Sequence, residues 1–128
     1  MKIDISTGEL VDKVTILSIK QEKISNPEKL ANVRKEYAIL ITPMNDAGLF
    51  VDSDEFLRLK DINLKLWDIE DRIRVKEVES AFDDEFISLA RSVYFINDDR
   101  AAVKKEINLK YNSDLVEEKE YVDYKNKP

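Results

Sequence analysis

The feature that most constrains the fold is a ladder of large apolar residues in the middle of the chain, spaced alternately three and four positions apart. This heptad spacing places every member on one side of an α-helix. Only two glycines and three prolines occur among the 128 residues, so few positions break a helix. The pattern predicts a long helix ending near Val78, and its ladder consists of Leu59, Ile62, Leu66, Ile69 and Ile73.

Signals for the start of a helix recur along the chain. Ser6 followed by Glu9 forms a capping box, which predicts a helix beginning near Thr7. The stretch 43–53 contains most of the helix breakers and predicts the one substantial loop. Further starts are predicted from Asn26 with Pro27, from Asp52 with Glu55, from the stretch 80–84, and from Ser113, which would cap a short helix containing Leu115 and Val116.

The distribution of apolar residues around each helix predicts how the helices pack. The first helix carries Leu10 and Val14 on one face and Ile16 and Ile19 on the opposite face, so we expect it to lie at the centre. The chain is therefore predicted to be all-α, a four- to five-helix bundle with long antiparallel helices. We expect one domain over residues 1–128, with a short frayed tail at about 122–128.

Composition excludes several classes of function. The chain has no His and no Cys, so acting alone it offers no thiolate nucleophile, no imidazole base and no Cys/His zinc site. A net charge of -6 opposes binding to nucleic acid. The N-terminal MKIDISTGEL has no cleavable apolar segment, and no stretch is long enough to span a membrane. We expect a cytoplasmic protein without membrane insertion, and we predict no cofactor.

Arg100 interrupts the apolar pattern of the last long helix. A straight helix continuing the spacing of Val93 and Ile96 would place this guanidinium in the apolar seam, beside Val103. The favoured interpretation is a kink, with Asn97 or its neighbour capping a new helix so that Arg100 turns outward. The alternatives are a structural ion pair, with a carboxylate such as Asp98, Asp99 or one from another helix, and an arginine that binds a ligand.

A cluster of polar residues surrounds this position. Arg91, Tyr94, Asn97, Asp98 and Arg100 bring two guanidinium groups, a phenol and an amide within a few helical turns, which is what recognition of an anion uses. The favoured alternative is structural: local ion pairs, helix caps and a tyrosine at the edge of the core. These five residues are nevertheless the best candidates for ligand binding in the chain.

Paired carboxylates raise the question of a magnesium site. Asp68 and Asp71 lie three residues apart on one helix face, as in the first acidic pair of all-α nucleotide pyrophosphohydrolases. A second such pair is missing, because Asp98 and Asp99 are adjacent and point about 100° apart on a helix. We therefore predict no metal site. If one existed, Asp68 and Asp71 would be the candidate ligands.

Other polar and aromatic residues receive structural interpretations. The charged residues of the first and last helices are most simply a solvated face, and Trp67, at helical spacing from Leu64 and Phe56, is interpreted as core. The charged residues in question are Asp12, Lys13, Lys20, Glu22, Lys104, Lys105 and Glu106.

Five stretches of the chain together resemble a family of small bacterial and phage proteins of unknown function. They are STGELVDKVTILSIKQEKI, PEKLANVRKEYAIL, LWDIEDRIRVKE, FDDEFISLARSVYFINDDRAAVKKEIN and SDLVEEKEY, and they cover nearly the whole chain in order. The resemblance implies no activity, so it assigns no catalytic or binding residue. It does suggest that the segment 91–100 is a family signature.

The function that the sequence favours is that of a non-enzymatic helical interaction or accessory protein. Two helices are apolar on opposing faces, and we do not expect a bundle this small to cover all of that surface, so we expect a homo-oligomer or a complex with another protein. The alternative hypothesis is a small-ligand or magnesium-dependent enzyme that binds an anionic substrate through the Arg/Tyr/Asn cluster.

Overall fold

The computed structural model describes residues 1–125 and shows an all-α helical bundle of four helices, as predicted. No strand occurs within these residues. The third helix ends at the residue where the apolar ladder predicts its end. The helices are α1 (Thr7–Lys23), α2 (Pro27–Asp46), α3 (Asp54–Val78) and α4 (Asp84–Lys110).

Side-chain caps explain where most of the helices begin. The Ser6 hydroxyl accepts a hydrogen bond from the backbone N–H of Glu9 at 3.1 Å, which confirms the predicted start of α1. Asn26 caps α2 in the same way, with Pro27 at the first helical position. The predicted cap of α3 is wrong, because Ser53 and not Asp52 occupies the N-cap position. The Ser53 hydroxyl instead accepts a hydrogen bond from the backbone N–H of Phe50 at 2.9 Å.

Helix α1 lies at the centre and contacts the other three helices, as its two apolar faces predict. Helices α3 and α4 form a long antiparallel hairpin, with Glu55 paired to Lys110 at one end and Lys76 to Asp83 at the other. The main core lies between α1, the end of α2 and one half of this hairpin. It contains Val11, Val14, Met44, Leu49, Phe56, Leu59, Val103 and Ile107.

Helix α4 runs without interruption through Asn97 and Arg100, so the predicted kink is wrong. Neither Asn97 nor Asp98 caps a helix, because both lie in the helix interior. The kink is unnecessary because a carboxylate on another helix compensates the charge of Arg100, as described below.

The short helix predicted after Ser113 does not form. The Ser113 hydroxyl accepts a hydrogen bond from the Thr7 backbone N–H at 2.9 Å and donates one to the Leu115 carbonyl at 2.7 Å. Residues 114–125 have no regular structure and return along α4. Of the tail predicted at about 122–128, residues 126–128 lie outside the described part of the chain.

Candidate functional site

The centre of the polar network between α1, α3 and α4 is an ion pair between Asp12 and Arg100. Nε of Arg100 donates to Oδ1 of Asp12 at 2.9 Å, and Nη2 donates to Oδ2. Asp12 is 1% exposed, so its charge has almost no access to water. The hydrogen bonds to Asp12 raise the pKa of Arg100 and keep the guanidinium charged. Of the sequence-based alternatives for Arg100, the structural ion pair is the one that the structure shows.

Asn63 and Thr15 complete the surroundings of the buried carboxylate. Nδ2 of Asn63 donates to Oδ1 of Asp12 and to Oγ1 of Thr15, both at 2.9 Å. The Thr15 hydroxyl in turn donates to the backbone carbonyl of Asp12 at 2.6 Å. Asn63 and Thr15 are both buried, so these hydrogen bonds fix the contact between α1 and α3.

Lys104 extends the network by one turn along α4. Its Nζ donates to Glu9 at 2.7 Å and to Glu117 of the C-terminal segment at 3.2 Å. Burial lowers the pKa of Lys104, but the hydrogen bond to Glu9 and the charges of Asp12 and Glu9 outweigh it, so the pKa is raised overall. The prediction of a solvated face is therefore wrong for Asp12 and Lys104, which are both buried.

A close approach of two backbones allows this network to form. The N–H of Gly8 donates to Oδ1 of Asn108 at 2.6 Å, and a Cβ atom at Gly8 would lie 2.5 Å from the Lys104 carbonyl oxygen. Glycine is therefore the residue that fits where α1 crosses α4. The pairs Gly8–Asn108, Glu9–Lys104 and Asp12–Arg100 show that these two helices run antiparallel.

A cleft of about 220 Å³ opens beside the ion pair, between α1, α3 and α4. Trp67 lies at this cleft and is half-buried, so it is less enclosed than the core position predicted for it. The polar wall comes from residues of α3 and α4, and the apolar wall from α1 and α3. The lining residues are Ile16, Ile19, Asn63, Leu66, Trp67, Glu70, Asn97 and Arg100.

The structure separates the five ligand-binding candidates that the sequence suggested. Arg91 and Arg100 are nine residues apart on one helix, which places them about 180° apart around its axis. Asn97 lies beside Arg100 at the cleft and also lines the pocket next to the C-terminal segment, where Tyr94 and Asp98 lie. Arg91 is exposed and makes no ion pair with any described residue. The two guanidinium groups therefore do not converge on one anion.

Tyr94 and Asp98 hold the C-terminal segment in place. The ring of Tyr124 packs against those of Tyr94 and Phe95, with both centroid distances 4.9 Å. Its hydroxyl donates to Asp98, and Lys125 pairs with Asp98 at 3.7 Å. Burial and this hydrogen bond raise the pKa of Tyr124 to about 12. The arrangement anchors the segment to α4.

The two metal candidates occupy an ordinary helix surface. Asp68 and Asp71 are exposed, and Asp68 lies 3.9 Å from Arg72 one turn later. Within residues 1–125 no three acidic side chains come together as metal ligands would. The same part of the chain contains no helix with both the length and the hydrophobicity needed to cross a membrane.

Sequence comparison places the chain in a family. The model of one family matches residues 1–128, the whole chain. The chain belongs to DUF6165, a family of unknown function. No curated protein and no solved structure shows significant similarity to this chain. Membership therefore confirms the resemblance to a family of unknown function and leaves the function to be argued from the residues.

The sequence reasoning missed Asp12, Asn63 and Lys104 as members of the central network. A signal for Asn63 was present, because it lies on the same stripe as Leu59 and Leu66, which are both buried. For Asp12 the signal was its position one helical turn from Gly8 and from Thr15, on a face made of small residues. A small-residue face on a central helix indicates a close neighbour, and a charge there needs a partner.

Proposed function

We propose that this chain is a helical interaction protein that self-associates through the outer end of the α3–α4 hairpin. We call residues 71–88 the distal arm. No residue of the distal arm is buried, although it contains the ends of two long helices and the turn between them. This unburied arm is the observation that carries the proposal.

The arm exposes apolar side chains that a two-helix structure cannot cover. Val78 is 87% exposed, and Val75, Phe82 and Ile87 are each more than half exposed. The hydrogen bonds and ion pairs of residues 71–88 join the hairpin to itself, as between Arg72 and Glu85. Neither α1 nor α2 supports this end by a hydrogen bond. An isolated helical hairpin buries too little apolar surface to be well ordered in water.

A second copy of the chain is the partner that fits the distal arm. Two antiparallel hairpins packed face to face give the four helices of a standard bundle, so one arm is half of such a structure. In a two-fold dimer both copies use the same surface, so if one residue contacts a second residue of the partner, the second residue also contacts the partner's copy of the first. The contact thus needs a surface that is complementary to itself.

The charges on and beside the arm meet this requirement. Arg91 has no ion-pair partner within the described residues, and neither do Glu77, Glu79 and Asp84 of the arm. A two-fold contact would let Arg91 of each copy reach an acidic residue at the tip of the other. Opposite charges on one surface favour an identical partner over a uniformly basic or acidic one.

The experiment is to measure molar mass by light scattering over micromolar to submillimolar concentrations. Wild type should approach twice the monomer mass of 14.9 kDa. Val78→Asp should remain a monomer, because a charge in the apolar contact would be desolvated on association. The substitution should leave the fold intact, since Val78 is almost fully exposed.

Val122→Asp provides a matched control. Val122 is 88% exposed, nearly the same as Val78, but lies on the C-terminal segment and not on the distal arm. This variant should associate as wild type does. A wild-type protein that stays monomeric over the whole range, or equal dissociation by both substitutions, would contradict the proposal.

The remaining functional expectations follow from composition. We propose a non-enzymatic role without a cofactor and without nucleic acid, because the chain lacks His and Cys and carries a net charge of -6. A cytoplasmic location is part of the same proposal. The separation of Arg91 from Arg100 gives no support to an enzyme that binds an anionic substrate through both.

A further inference from the structure

The cleft beside the Asp12–Arg100 pair contains hydrogen-bonding groups that the described residues leave unused. Nη1 of Arg100 donates to none of them, and Asn97 makes no side-chain hydrogen bond with them. Asn63 donates twice through Nδ2, but its Oδ1 accepts nothing from residues 1–125. No fully buried polar atom among these residues lacks a partner, so this oxygen is not fully enclosed, and Asn63 lines the cleft.

The charge balance of the cleft favours a positive group over an anion. The charge of Arg100 is already matched by Asp12, which holds two of its nitrogens. Glu70 adds a further carboxylate to the lining, and its partner is Arg74, 73% exposed and 3.4 Å away. Such an exposed pair is weak, so the negative charge of Glu70 remains available to a ligand.

The opposite wall of the cleft is apolar. Ile16, Ile19 and Leu66 line it, with the half-buried ring of Trp67 beside them. The volume of about 220 Å³ is below the range of about 300–1,000 Å³ that is typical of pockets for drug-sized ligands. This space suits a molecule much smaller than a typical cofactor, with one polar end and one apolar end.

We infer that the cleft binds a small zwitterion with an apolar side chain, the chemistry of a free aliphatic α-amino acid. Glu70 and Oδ1 of Asn63 accept hydrogen bonds from its ammonium group. Nη1 of Arg100 and the amide of Asn97 donate to its carboxylate, and the aliphatic chain lies against the apolar wall. This inference is independent of self-association.

Tryptophan fluorescence gives a direct test, because Trp67 is the single tryptophan of the chain and lies at the cleft. The probes are L-leucine, 3-methylbutylamine, which lacks the carboxylate, and 4-methylpentanoate, which lacks the ammonium group. L-Leucine should change the emission saturably. The amine should bind more weakly than L-leucine, and 4-methylpentanoate should bind most weakly, because it meets Glu70 without a compensating charge.

Glu70→Gln should weaken L-leucine binding about tenfold, the size expected for one hydrogen bond to a charged group. Glu70 is on the surface, so this variant should fold, which circular dichroism checks. Asp68→Asn removes an exposed acid of the same helix that is not part of the cleft, and should bind L-leucine as wild type does. No saturable change with L-leucine, equal binding of 4-methylpentanoate, or unchanged affinity in Glu70→Gln would each overturn the inference.

Discussion

The guanidinium of Arg100 and the carboxylate of Asp12 meet across the α1–α4 interface, although 88 residues separate them in the chain. Loss of the pair would affect the two charges differently, because their access to water differs. The side chain of Arg100 is 29% exposed and that of Asp12 only 1%. Without its partner the arginine can still be hydrated, whereas the carboxylate would remain buried and uncompensated.

We therefore expect Arg100→Met to destabilise the fold more than Asp12→Asn. The arginine variant should lose about 3 kcal/mol in the free energy of unfolding, because it leaves a buried charge. The asparagine variant should lose about 1–2 kcal/mol, the cost of weakened hydrogen bonds. Urea denaturation of both variants, and of the double variant, measures these losses. The double variant should lose less than the two single losses added together, and strict additivity would show that the pair is not coupled.

Gly8→Ala should separate α1 from α4. The new Cβ atom would lie 2.5 Å from a backbone oxygen and 2.9 Å from Oδ1 of Asn108, so the helices must shift. We expect a loss of about 1–3 kcal/mol in the free energy of unfolding, despite the gain in helix propensity from alanine. Thermal and urea denaturation measure it. Asn32→Ala, at an exposed position of α2, should change stability by less than about 0.5 kcal/mol, and a stabilised Gly8→Ala would contradict the close approach.

Much of the helical framework could be predicted from local sequence. Ser6 and Asn26 cap helices by hydrogen bonds to residues three positions later, and such contacts depend on a few neighbouring residues. The end of α3 also follows from its apolar ladder. Ser113 shows where this reasoning fails, because its hydroxyl accepts from Thr7, a residue near the other end of the chain.

The centre of the candidate site could not be predicted for the same reason. Arg100 was identified as a charge in an apolar seam, but its partner Asp12 lies in another helix and was assigned to a solvated surface. Without that partner a kink at Asn97 was the reasonable prediction. Packing overrides the low helix propensity of Asn97, and α4 continues through it without a break.

The stability of the protein should fall in acid partly because of Glu55. This residue is buried, and the hydrogen bond from Lys110 lowers its pKa despite the opposing effect of burial. The folded state then binds fewer protons than the unfolded state, so stability is full above the unfolded pKa of about 4.5 and is lost as the pH falls through the lower folded value. Glu55→Gln should flatten the decline from about pH 5 downward. Urea denaturation across this range measures it, and parallel curves for both proteins would exclude the contribution of Glu55.

The attachment of the C-terminal segment can be followed through Tyr124. Its pKa is raised to about 12 by burial and by its hydrogen bond to Asp98, so its phenol should ionise near that pH. An ultraviolet titration should show a transition there that disappears in Tyr124→Phe. Asp98→Asn should lower this pKa toward, but not to, the usual value of about 10, because burial against Tyr94 and Phe95 remains. Asp61→Asn, which removes an acid paired with Lys65 on α3, should leave the transition in place. If Tyr124→Phe leaves the titration near pH 12 unchanged, the contact between the segment and α4 does not persist in solution.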